Sequence, residues 1–337
     1  MARVLITGGA GYVGSHCAKA VAAAGHNGIV FDNLTSGHRE FVRWCPLIQG
    51  DIRDSAALGS VFQTHRIDAV MHFAALAYVG ESVMAPSRYY DINIHGTRVL
   101  LDAMIKAGVP RIVFSSSCAV YGEPAKTPIT ESASTQPVNP YGFSKLVCER
   151  MMEDFGRAYG LKTACLRYFN ATGADPTGEI GEDHEPETHL IPLVLDAALG
   201  RKSSVQIFGT DYPTPDGTAI RDYVHVTDLA RAHVLALEYL LKDGNTIAIN
   251  LGSGRGTSVW EVIDTARAVT GAEIVASDVQ RRAGDPSILL AETTLAKTVL
   301  GWSADRSELS TVIGDAWRWH SRRFGDKAKN YRRGAHQ

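Results

Sequence analysis

Short apolar runs and longer amphipathic stretches follow one another along the chain. The apolar runs are typical of strands buried in a sheet, and they lie at residues 3–7, 29–31, 46–50, 68–73, 111–115, 163–169 and 247–251. Stretches with a helical pattern lie near residues 15–24, 56–65, 86–107, 141–159, 226–241 and 259–269. This alternation predicts an α/β fold in which helices cover both faces of a parallel sheet.

The pattern changes after Asn170. Residues 171–188 and 209–216 are rich in Gly, Pro, Thr and acidic residues, and loops of this kind on a rigid scaffold commonly carry binding. The 337 residues also exceed one typical domain. We predict a first domain over residues 1–170, to which the chain returns around 223–251. A smaller second domain, mainly for substrate binding, is predicted over 171–337.

Three glycines follow the first strand candidate. Gly8, Gly11 and Gly14 precede the first helical stretch, where they permit a tight turn and let backbone N–H groups approach a pyrophosphate. The second strand candidate ends at Asp32, whose carboxylate can bond an adenosine ribose and repels the 2′-phosphate of NADP. Strand, glycines, helix, strand and acid in this order predict a Rossmann-type doubly wound sheet that binds NAD.

Tyr141 and Lys145 lie four residues apart at the start of the helical stretch 141–159. We expect Asn139 to cap this helix and Pro140 to take its first position. Residues i and i+4 share a helix face, so the ammonium should lower the pKa of the phenol. A tyrosine with a lowered pKa can take a proton from an alcohol near neutral pH. Such a pair also arises by chance on a solvated face, so the surrounding motifs decide its meaning.

A run of serines, residues 115 to 117, follows the strand candidate at 111–115. Ligands of open α/β sheets bind beyond the carboxyl ends of the strands. We therefore expect Ser117 to bond a substrate hydroxyl and to relay its proton to Tyr141. Ser115 and Ser116 are interpreted as polar caps of the strand.

Composition and charge disfavour several classes of partner. The formal net charge of −2 gives no electrostatic reason to expect nucleic acid or an anionic membrane, and no apolar run reaches the roughly 18 residues of a membrane span. The five cysteines are scattered and odd in number, which is typical of free thiols in a reducing compartment, so we expect a cytoplasmic protein.

No metal site is predicted. Asp183, His184, Glu185 and His189 share one loop without a recognised ligand spacing, and contacts to substrate explain them better. The basic stretch Lys327 to Arg333 is expected to be a solvated tail.

A series of short motifs occurs in the order found in UDP-glucose 4-epimerases (UDP-galactose 4-epimerases) of the extended short-chain dehydrogenase/reductase superfamily. The motifs are TGGAGYVG, FDNLTSG, GDI, HFAA, VGES, YYDINIHGT, FSSSCAVYGEP, NPYGFSK, LRYFNATGADP, DGTAIRDYVHV and QRRAGDP. The chain resembles this family from Arg3 to about Arg318. TGxxGxxG and YxxxK are typical of the whole superfamily, whereas RYFN, DGTxxRDYxHV and RRxGD are much more specific to the epimerases.

The resemblance implies an NAD site formed by the glycine turn, the end of the second strand and the neighbouring strand ends, with Lys145 on the nicotinamide ribose. The residues are Gly8, Gly11, Tyr12, Val13, Gly14, Asp32, Asn33, Leu34, Thr35, Ser36, Gly37, Asp51, Ile52, Phe73, Ala74, Ala75, Tyr141, Lys145 and Phe169.

It also implies a site for a UDP-sugar. Arg221 and Arg282 would supply guanidinium groups to the diphosphate, and Asp285 would bond the uridine ribose. The implied substrate residues are Ser117, Tyr141, Asn170, His189, Leu190, Gln206, Ile207, Phe208, Arg221, Tyr223, Arg282, Asp285 and Leu289.

The implied reaction is the NAD-dependent interconversion of UDP-glucose and UDP-galactose. Tyr141, with Ser117 as relay, takes the proton of the hydroxyl on sugar carbon 4, and the hydride on that carbon passes to NAD. The 4-keto sugar turns over while UDP stays anchored, and hydride and proton then return on the other face. The resemblance also implies a homodimer that packs through the helices near 89–107 and 141–159.

Two positions leave more than one UDP-sugar open as the substrate. Ala77 stands where many epimerases have a lysine that bonds the NAD ribose, and Ala77 followed by Tyr78 also occurs in relatives that act on UDP-pentoses. A UDP-xylose/UDP-arabinose 4-epimerase is therefore one alternative. Leu289 stands at a position of variable size beside the sugar, where a large residue restricts N-acetylated sugars.

Other functions of the same fold are weighed against these residues. A dehydratase, a decarboxylase or a net dehydrogenase acting on nucleotide sugars is a second alternative, although dehydratases have an acid where this chain has Cys118 and Ala119. A non-catalytic NAD-sensing protein is disfavoured, because such proteins typically lack the tyrosine or the lysine that this chain keeps.

Overall fold

A seven-stranded parallel sheet lies at the centre of the computed structural model, which describes residues 1–282 and 285–334. Its strands are β1 (Arg3–Thr7), β2 (Asn27–Asp32), β3 (Leu47–Gln49), β4 (Ala69–His72), β5 (Arg111–Ser117), β6 (Lys162–Tyr168) and β10 (Ile247–Leu251). They lie in the order β3-β2-β1-β4-β5-β6-β10, and each neighbouring pair is parallel. The strand order reverses between β1 and β4, which places a ligand crevice beyond the carboxyl ends of these strands.

Both faces of this sheet are buried. Successive strand residues point to opposite sides, and the side chains on each side pack into an apolar cluster. In β1, Val4 and Ile6 join one apolar cluster and Leu5 joins another. The helices that cover the first face are α1 (Tyr12–Ala23) and α8 (Val226–Leu241), and those that cover the second are α2 (Ser55–Thr64), α5 (Gly96–Lys106) and α6 (Pro140–Tyr159). The α/β sheet predicted from the alternation is confirmed.

The elements after β6 are shorter and less regular. Strand β9 (Ile220–His225) pairs with β7 (Asn170–Thr172), β11 (Gly256–Ser258) and β13 (Ile288–Leu289), while β8 (Val205–Phe208) pairs with β12 (Ala276–Val279). The helices of this region are α7 (Leu190–Ala198), α9 (Val259–Thr270), α10 (Thr294–Leu300) and α11 (Leu309–Gly334). A third apolar cluster packs α7, α9 and α11 against β8, so this region has a core of its own.

Several predicted bounds differ from the structure. The helix predicted at 86–107 is divided into α4 (Pro86–Tyr89), a π-helical segment over Tyr90–His95 and α5, and a further short helix, α3 (Val79–Met84), precedes it. Strand β5 extends two residues beyond its prediction and includes Ser117, and α1 begins at Tyr12 instead of residue 15. Residues 327–333, predicted as a tail, continue helix α11.

The predicted division into two domains stays a prediction, although β10 does pair with β6 in the large sheet. Within the described residues, every helix is too short or too polar to cross a lipid bilayer.

Candidate active site

The start of α6 holds Tyr141 against the end of β5. Asn139 caps the helix by accepting a hydrogen bond from the Gly142 N–H at 2.8 Å, and Pro140 lies in the first turn, as predicted. A Cβ at position 142 would lie 2.4 Å from the Ala119 carbonyl oxygen. Only glycine permits this close approach, which brings the helix face with Tyr141 beside the segment that follows β5.

Ser117 and Tyr141 form a buried hydroxyl pair. Ser117 is the last residue of β5, and its Oγ accepts a hydrogen bond from the Ala119 N–H at 3.1 Å. Burial raises the pKa of Tyr141 to about 12, and the hydrogen bond with Ser117 offsets this only in part. The predicted lowering of this pKa by the neighbouring ammonium is therefore wrong for the protein alone, because burial, the largest effect on the phenol, outweighs the hydrogen bond of Ser117.

Lys145 is buried on the same helix face. Its Nζ donates a hydrogen bond to the Ser115 carbonyl oxygen at 2.7 Å and lies 6.0 Å from the centroid of the Tyr141 ring. Burial lowers the pKa of Lys145 to about 8. A lysine whose pKa lies this close to neutrality can exchange protons during turnover.

The glycine turn between β1 and α1 fits the pyrophosphate of a dinucleotide. Gly8 has a φ of +73°, and a Cβ there would lie 2.4 Å from the Ala74 nitrogen. A Cβ at Gly14 would lie 2.2 Å from the Gly8 carbonyl oxygen, whereas one at Gly11 would meet only that oxygen, at 3.4 Å. A side chain at Gly11 would thus extend over the start of α1. No side chain caps this helix, so its first N–H groups can bind phosphate oxygens.

Asp32 lies at the carboxyl end of β2, where a ribose could be bound. Its carboxylate accepts hydrogen bonds from the Ala10 N–H at 3.0 Å and the Leu34 N–H at 2.8 Å. Burial raises the pKa of Asp32 above its ordinary value. The turn after β2 folds back on Ala10, since a Cβ at Gly37 would lie 2.8 Å from the Ala10 Cβ.

The remaining predicted cofactor residues surround this turn. Asn33 donates a hydrogen bond to Asp51 at 2.9 Å, and the Arg53 guanidinium holds the pKa of Asp51 well below its ordinary value. The Tyr12 hydroxyl donates to the Gly173 carbonyl oxygen at 2.6 Å, which joins α1 to the loop after β7. Phe73 follows β4 directly, and its backbone N–H donates to the Thr7 carbonyl oxygen at 2.8 Å.

A second group of predicted residues lies around a cleft of about 500 Å³. Arg282 and Asp285 line this cleft, and the Arg282 guanidinium lies 3.8 Å from the centroid of the Phe208 ring. Arg221, on β9, forms an ion pair with Asp285. Ile207, in contrast, is fully buried in the third apolar cluster, so only its backbone is available to a ligand.

Leu289 connects the cleft to the hydroxyl pair. It lies opposite Arg221 in the parallel pairing of β13 with β9, and it packs into an apolar cluster with Phe169 and Cys118. Because Cys118 follows Ser117 directly, Leu289 is close in the structure both to Arg221, a predicted diphosphate ligand, and to the segment of the hydroxyl pair.

Of the other predicted substrate residues, Asn170 pairs with Tyr223 across β7 and β9. Tyr223 is buried in the third apolar cluster, and Leu190 packs against that cluster from the first turn of α7. Gln206 is exposed on β8.

The loop before α7 contains a cluster that sequence analysis did not predict. This histidine–glutamate cluster consists of Glu182, His184, Glu187 and His189, and one nitrogen or oxygen atom of each lies within 4.8 Å of the others. Asp183, considered in the sequence, instead pairs with Arg323 at 2.7 Å. The missed signal is a repeated Glu-x-His pattern, at 182–184 and at 187–189.

A buried ion pair behind the active site was also missed. Arg167, on β6, pairs with Glu149, four residues after Lys145 on α6. Glu149 accepts a hydrogen bond from the Ser116 hydroxyl at 2.5 Å, and Arg167 donates to the Tyr121 hydroxyl at 3.0 Å. This network ties α6 to β5 and β6. A glutamate one helical turn beyond the lysine is the signal that could have indicated it.

Comparisons with known proteins agree with this arrangement. The profile of the NAD dependent epimerase/dehydratase family matches residues 4–252. The UDP-glucose 4-epimerase of Halalkalibacterium halodurans is 52% identical over 317 residues, which cover 94% of this chain and 95% of that protein. The crystal structure of UDP-glucose 4-epimerase from Brucella ovis in complex with NAD has a TM-score of 0.93 and 49% identity, covering 96% of this chain and 99% of the other.

A further solved structure carries a pentose. UDP-glucose-4-epimerase from Stenotrophomonas maltophila, with bound NAD and formylated UDP-arabinopyranose, has a TM-score of 0.93 and 42% identity and covers 96% of this chain and 99% of its own. The predicted resemblance and the Rossmann-type fold are confirmed by these comparisons.

Proposed function

The chain belongs to the NAD dependent epimerase/dehydratase family, and we propose that it is a UDP-glucose 4-epimerase, an isomerase that interconverts UDP-glucose and UDP-galactose with NAD as cofactor. The observation that carries this proposal is the buried pair of Ser117 and Tyr141, with Lys145 on the same helix face. It lies at the carboxyl edge of a sheet whose glycine turn fits a dinucleotide. Relatives that carry this activity cover nearly the whole chain.

The residues of the sheet region would hold the cofactor and move the proton. The N–H groups at the start of α1 would bind the pyrophosphate, and Asp32 would bond the adenosine ribose. When bound, NAD supplies a hydride acceptor for sugar carbon 4 and returns the hydride later. Tyr141 takes the proton of the carbon-4 hydroxyl through Ser117 and gives it back after the sugar has turned. A protonated Lys145 favours the phenolate at the moment of transfer.

The residues around the cleft would hold UDP throughout the reaction. Arg221 and Arg282 present guanidinium groups, which match diphosphate oxygens better than an ammonium does. Anchoring the nucleotide leaves the 4-keto sugar free to rotate without leaving the protein. The proposal thus assigns chemistry to residues near 117–145 and retention to residues near 221–285, in line with the two domains proposed over 1–170 and 171–337.

A UDP-xylose/UDP-arabinose 4-epimerase is the second candidate function. One structural relative holds formylated UDP-arabinopyranose, and Leu289 presents a medium-sized side chain beside the predicted sugar position, which a pentose would fit. A dehydratase is not favoured, because elimination of water needs an acid near Ser117 and this chain has Cys118 and Ala119 there.

Product analysis with a panel of UDP-sugars tests the proposal. Purified protein, incubated without added reductant, should convert UDP-glucose and UDP-galactose into each other until both reach a fixed ratio. Chromatography and NMR would identify the sugars. Conversion of UDP-xylose and UDP-arabinose alone would favour the second candidate, and release of NADH or of a dehydrated sugar would contradict both.

We also propose a homodimer that acts in the cytoplasm. Apolar side chains are exposed near α3, the π-helical segment and α6, at Val79, Val83, Met84, Tyr90 and Phe143. Such a patch is typical of a protein interface. Light scattering should therefore give twice the mass of the chain, and Val83→Asp should reduce it toward one chain. The cytoplasm is proposed because all five cysteines are free.

A further inference from the structure

The histidine–glutamate cluster contains four metal-binding groups directed at one small volume. The Glu182 Oε1 atom lies 2.5 Å from the His189 Nδ1 atom and 3.2 Å from the His184 Nδ1 atom. Glu187 lies 3.8 Å from His184 and 3.5 Å from His189, measured between carboxylate oxygen and Nδ1. Tetrahedral ligands of zinc, with bonds of about 2.0–2.2 Å, are about 3.4 Å apart. Three of the separations lie within about 0.4 Å of that value. Glu182 and His189 share a direct hydrogen bond at 2.5 Å and would have to separate by about 0.9 Å to hold an ion.

Neighbouring residues fix the two carboxylates of the cluster, while the His189 side chain is half-exposed. The Trp319 Nε1–H donates to the Glu182 carbonyl oxygen at 3.2 Å. The Glu187 Oε1 atom accepts hydrogen bonds from the N–H groups of Thr188 and His189, at 2.7 and 2.8 Å, which leaves its Oε2 atom directed at His184. The loop therefore holds its carboxylates and imidazoles together through its own backbone and through α11.

His184 provides a second and independent observation. Its Nδ1 atom is buried and has no hydrogen-bond partner of acceptable geometry, although two carboxylates lie within 3.8 Å. A buried polar nitrogen without a partner is uncommon in a folded protein. An unpaired imidazole nitrogen can present its lone pair to a metal ion.

We propose that the histidine–glutamate cluster is a binding site for one divalent zinc ion. Two imidazole nitrogens and two carboxylate oxygens are a ligand set that suits zinc, whereas Ca²⁺ and Mg²⁺ prefer oxygen alone. The ion would neutralise two carboxylates that are otherwise buried together. The epimerase chemistry that we propose needs no zinc, although His189, which the family resemblance implies as a substrate residue, would here bind the ion.

The bound ion would fasten the loop to the nucleotide region. The rings of Tyr12 and Tyr78 contact the His184 ring edge-to-face, with centroids 6.2 and 5.7 Å away. Tyr12 begins α1 beside the glycine turn, and Tyr78 is the N-cap residue of α3. Zinc would thus join the chain before α7 to the walls of the cofactor crevice, and we expect it to act as a structural clamp.

Zinc titration of the tag-free, chelator-treated protein tests this proposal. Calorimetry at pH 7.5 should show one ion per chain with micromolar or tighter affinity, and no comparable binding of Mg²⁺ or Ca²⁺. A hundredfold excess of zinc over its Kd should raise Tm by about 4 °C. X-ray absorption should show nitrogen and oxygen ligands that include two imidazoles.

Variants distinguish the cluster from other zinc ligands. His184→Ala should weaken zinc binding by about 100-fold or more, because even an outer partner of a metal ligand is worth about 10- to 100-fold. Glu187→Gln should weaken zinc binding similarly, and it serves as the test if His184→Ala folds poorly. Glutamine keeps the size of the side chain and an oxygen that can accept the hydrogen bonds of the Thr188 and His189 N–H groups. His65→Ala and Cys118→Ser are controls and should bind zinc like the parent.

Two results would overturn the proposal. The first is parent protein that takes up no stoichiometric zinc, which would mean that protons alone hold the cluster together. The second is His184→Ala and Glu187→Gln protein with the affinity and thermal shift of the parent, which would place any bound zinc elsewhere. Neither result depends on turnover, so a failure here is distinguishable from a failure of the proposed epimerase activity.

Discussion

The sheet region and the second region, which includes the loop before α7, shift the pKa values of histidines in opposite directions. In the sheet region, burial lowers the pKa of His16 and of His233 to about 4. In the loop before α7, the desolvation of the half-exposed His189 would act in the same direction, but the charge and the hydrogen bond of Glu182 outweigh it and raise the pKa to about 9. The first region therefore keeps these two histidines neutral, while the second pairs His189 with a carboxylate.

This difference matches the tasks that we propose for the two regions. Proton and hydride transfer need a dry interior in which a hydroxyl pair such as Ser117 and Tyr141 is held rigidly. Binding a diphosphate needs cations such as Arg221. In the protein alone Arg221 forms an ion pair with a carboxylate, which the diphosphate would replace as its partner. Substitutions in the first region should then change turnover, and those in the second should change affinity.

The largest effect is expected from Tyr141→Phe. Loss of the phenolic hydroxyl removes the acid and base, so turnover should fall by roughly 10²- to 10⁴-fold, while UDP affinity should change little because the cleft lies elsewhere. Steady-state kinetics and titration with UDP measure the two quantities. Tyr159→Phe, at the exposed end of the same helix, is the matched control. Near-normal turnover of Tyr141→Phe would remove this residue from the mechanism.

Arg221→Lys should show the opposite pattern. Lysine keeps the positive charge but loses the forked donors, and a charge-assisted hydrogen bond contributes about 1.5–3 kcal/mol. UDP should therefore bind about 10- to 100-fold more weakly, with turnover at saturation nearly unchanged. Arg255→Lys is the control, since Arg255 is exposed and pairs with Glu308 at 2.9 Å. A fall in turnover at unaltered UDP affinity would contradict the division of tasks.

Sequence reasoning predicted the sheet region better than the second one, for physical reasons. Strands such as β1 and β10 are continuous apolar runs, and a helix such as α6 carries its own cap and periodicity. Strands of two to four residues, such as β13 and β7, contain too few positions to show a period. They exist because tertiary pairing with β9 holds them.

Within the candidate site, too, some features could be predicted from the sequence and others could not. The helix cap and the shared face of Tyr141 and Lys145 follow from local spacing. The pKa of Tyr141 does not, because it depends on burial by residues distant in sequence. The ion pair between Arg221 and Asp285 joins positions 64 residues apart, which no local pattern indicates. Only the resemblance to a family brought those two residues together before the structure did.

Acid should destabilise the sheet region through its neutral histidines. The pKa of His233 is about 4 in the folded protein, below its value of about 6.5 in the unfolded chain. Its contribution to stability is therefore present above pH 6.5 and is lost as pH falls toward 4.

His233→Leu removes the pH-dependent contribution of this histidine to stability. Relative to the parent, it should gain about 1 kcal/mol in the free energy of unfolding between pH 7.5 and pH 5.5, measured by urea titration. Leu237→Ala, in the same helix, should change stability equally at both pH values. Identical pH dependence of the parent and His233→Leu would show that His233 takes up protons in the folded protein.

The smallest effect is expected at Leu289, where the two regions meet. This side chain lies beside Phe169 and Cys118 and opposite Arg221, so it should help to set the size of the sugar. An oversized sugar must displace packed atoms, whereas a small one only loses contacts. Leu289→Ser should raise the ratio of kcat/KM for UDP-N-acetylglucosamine over UDP-glucose by about 10-fold, as expected for about one to two methylene-sized groups. Leu289→Ile, which conserves volume, should leave the ratio within about 2-fold. Assays of both UDP-sugars with the three proteins measure it, and an unchanged ratio in Leu289→Ser would mean that other residues limit the size of the sugar.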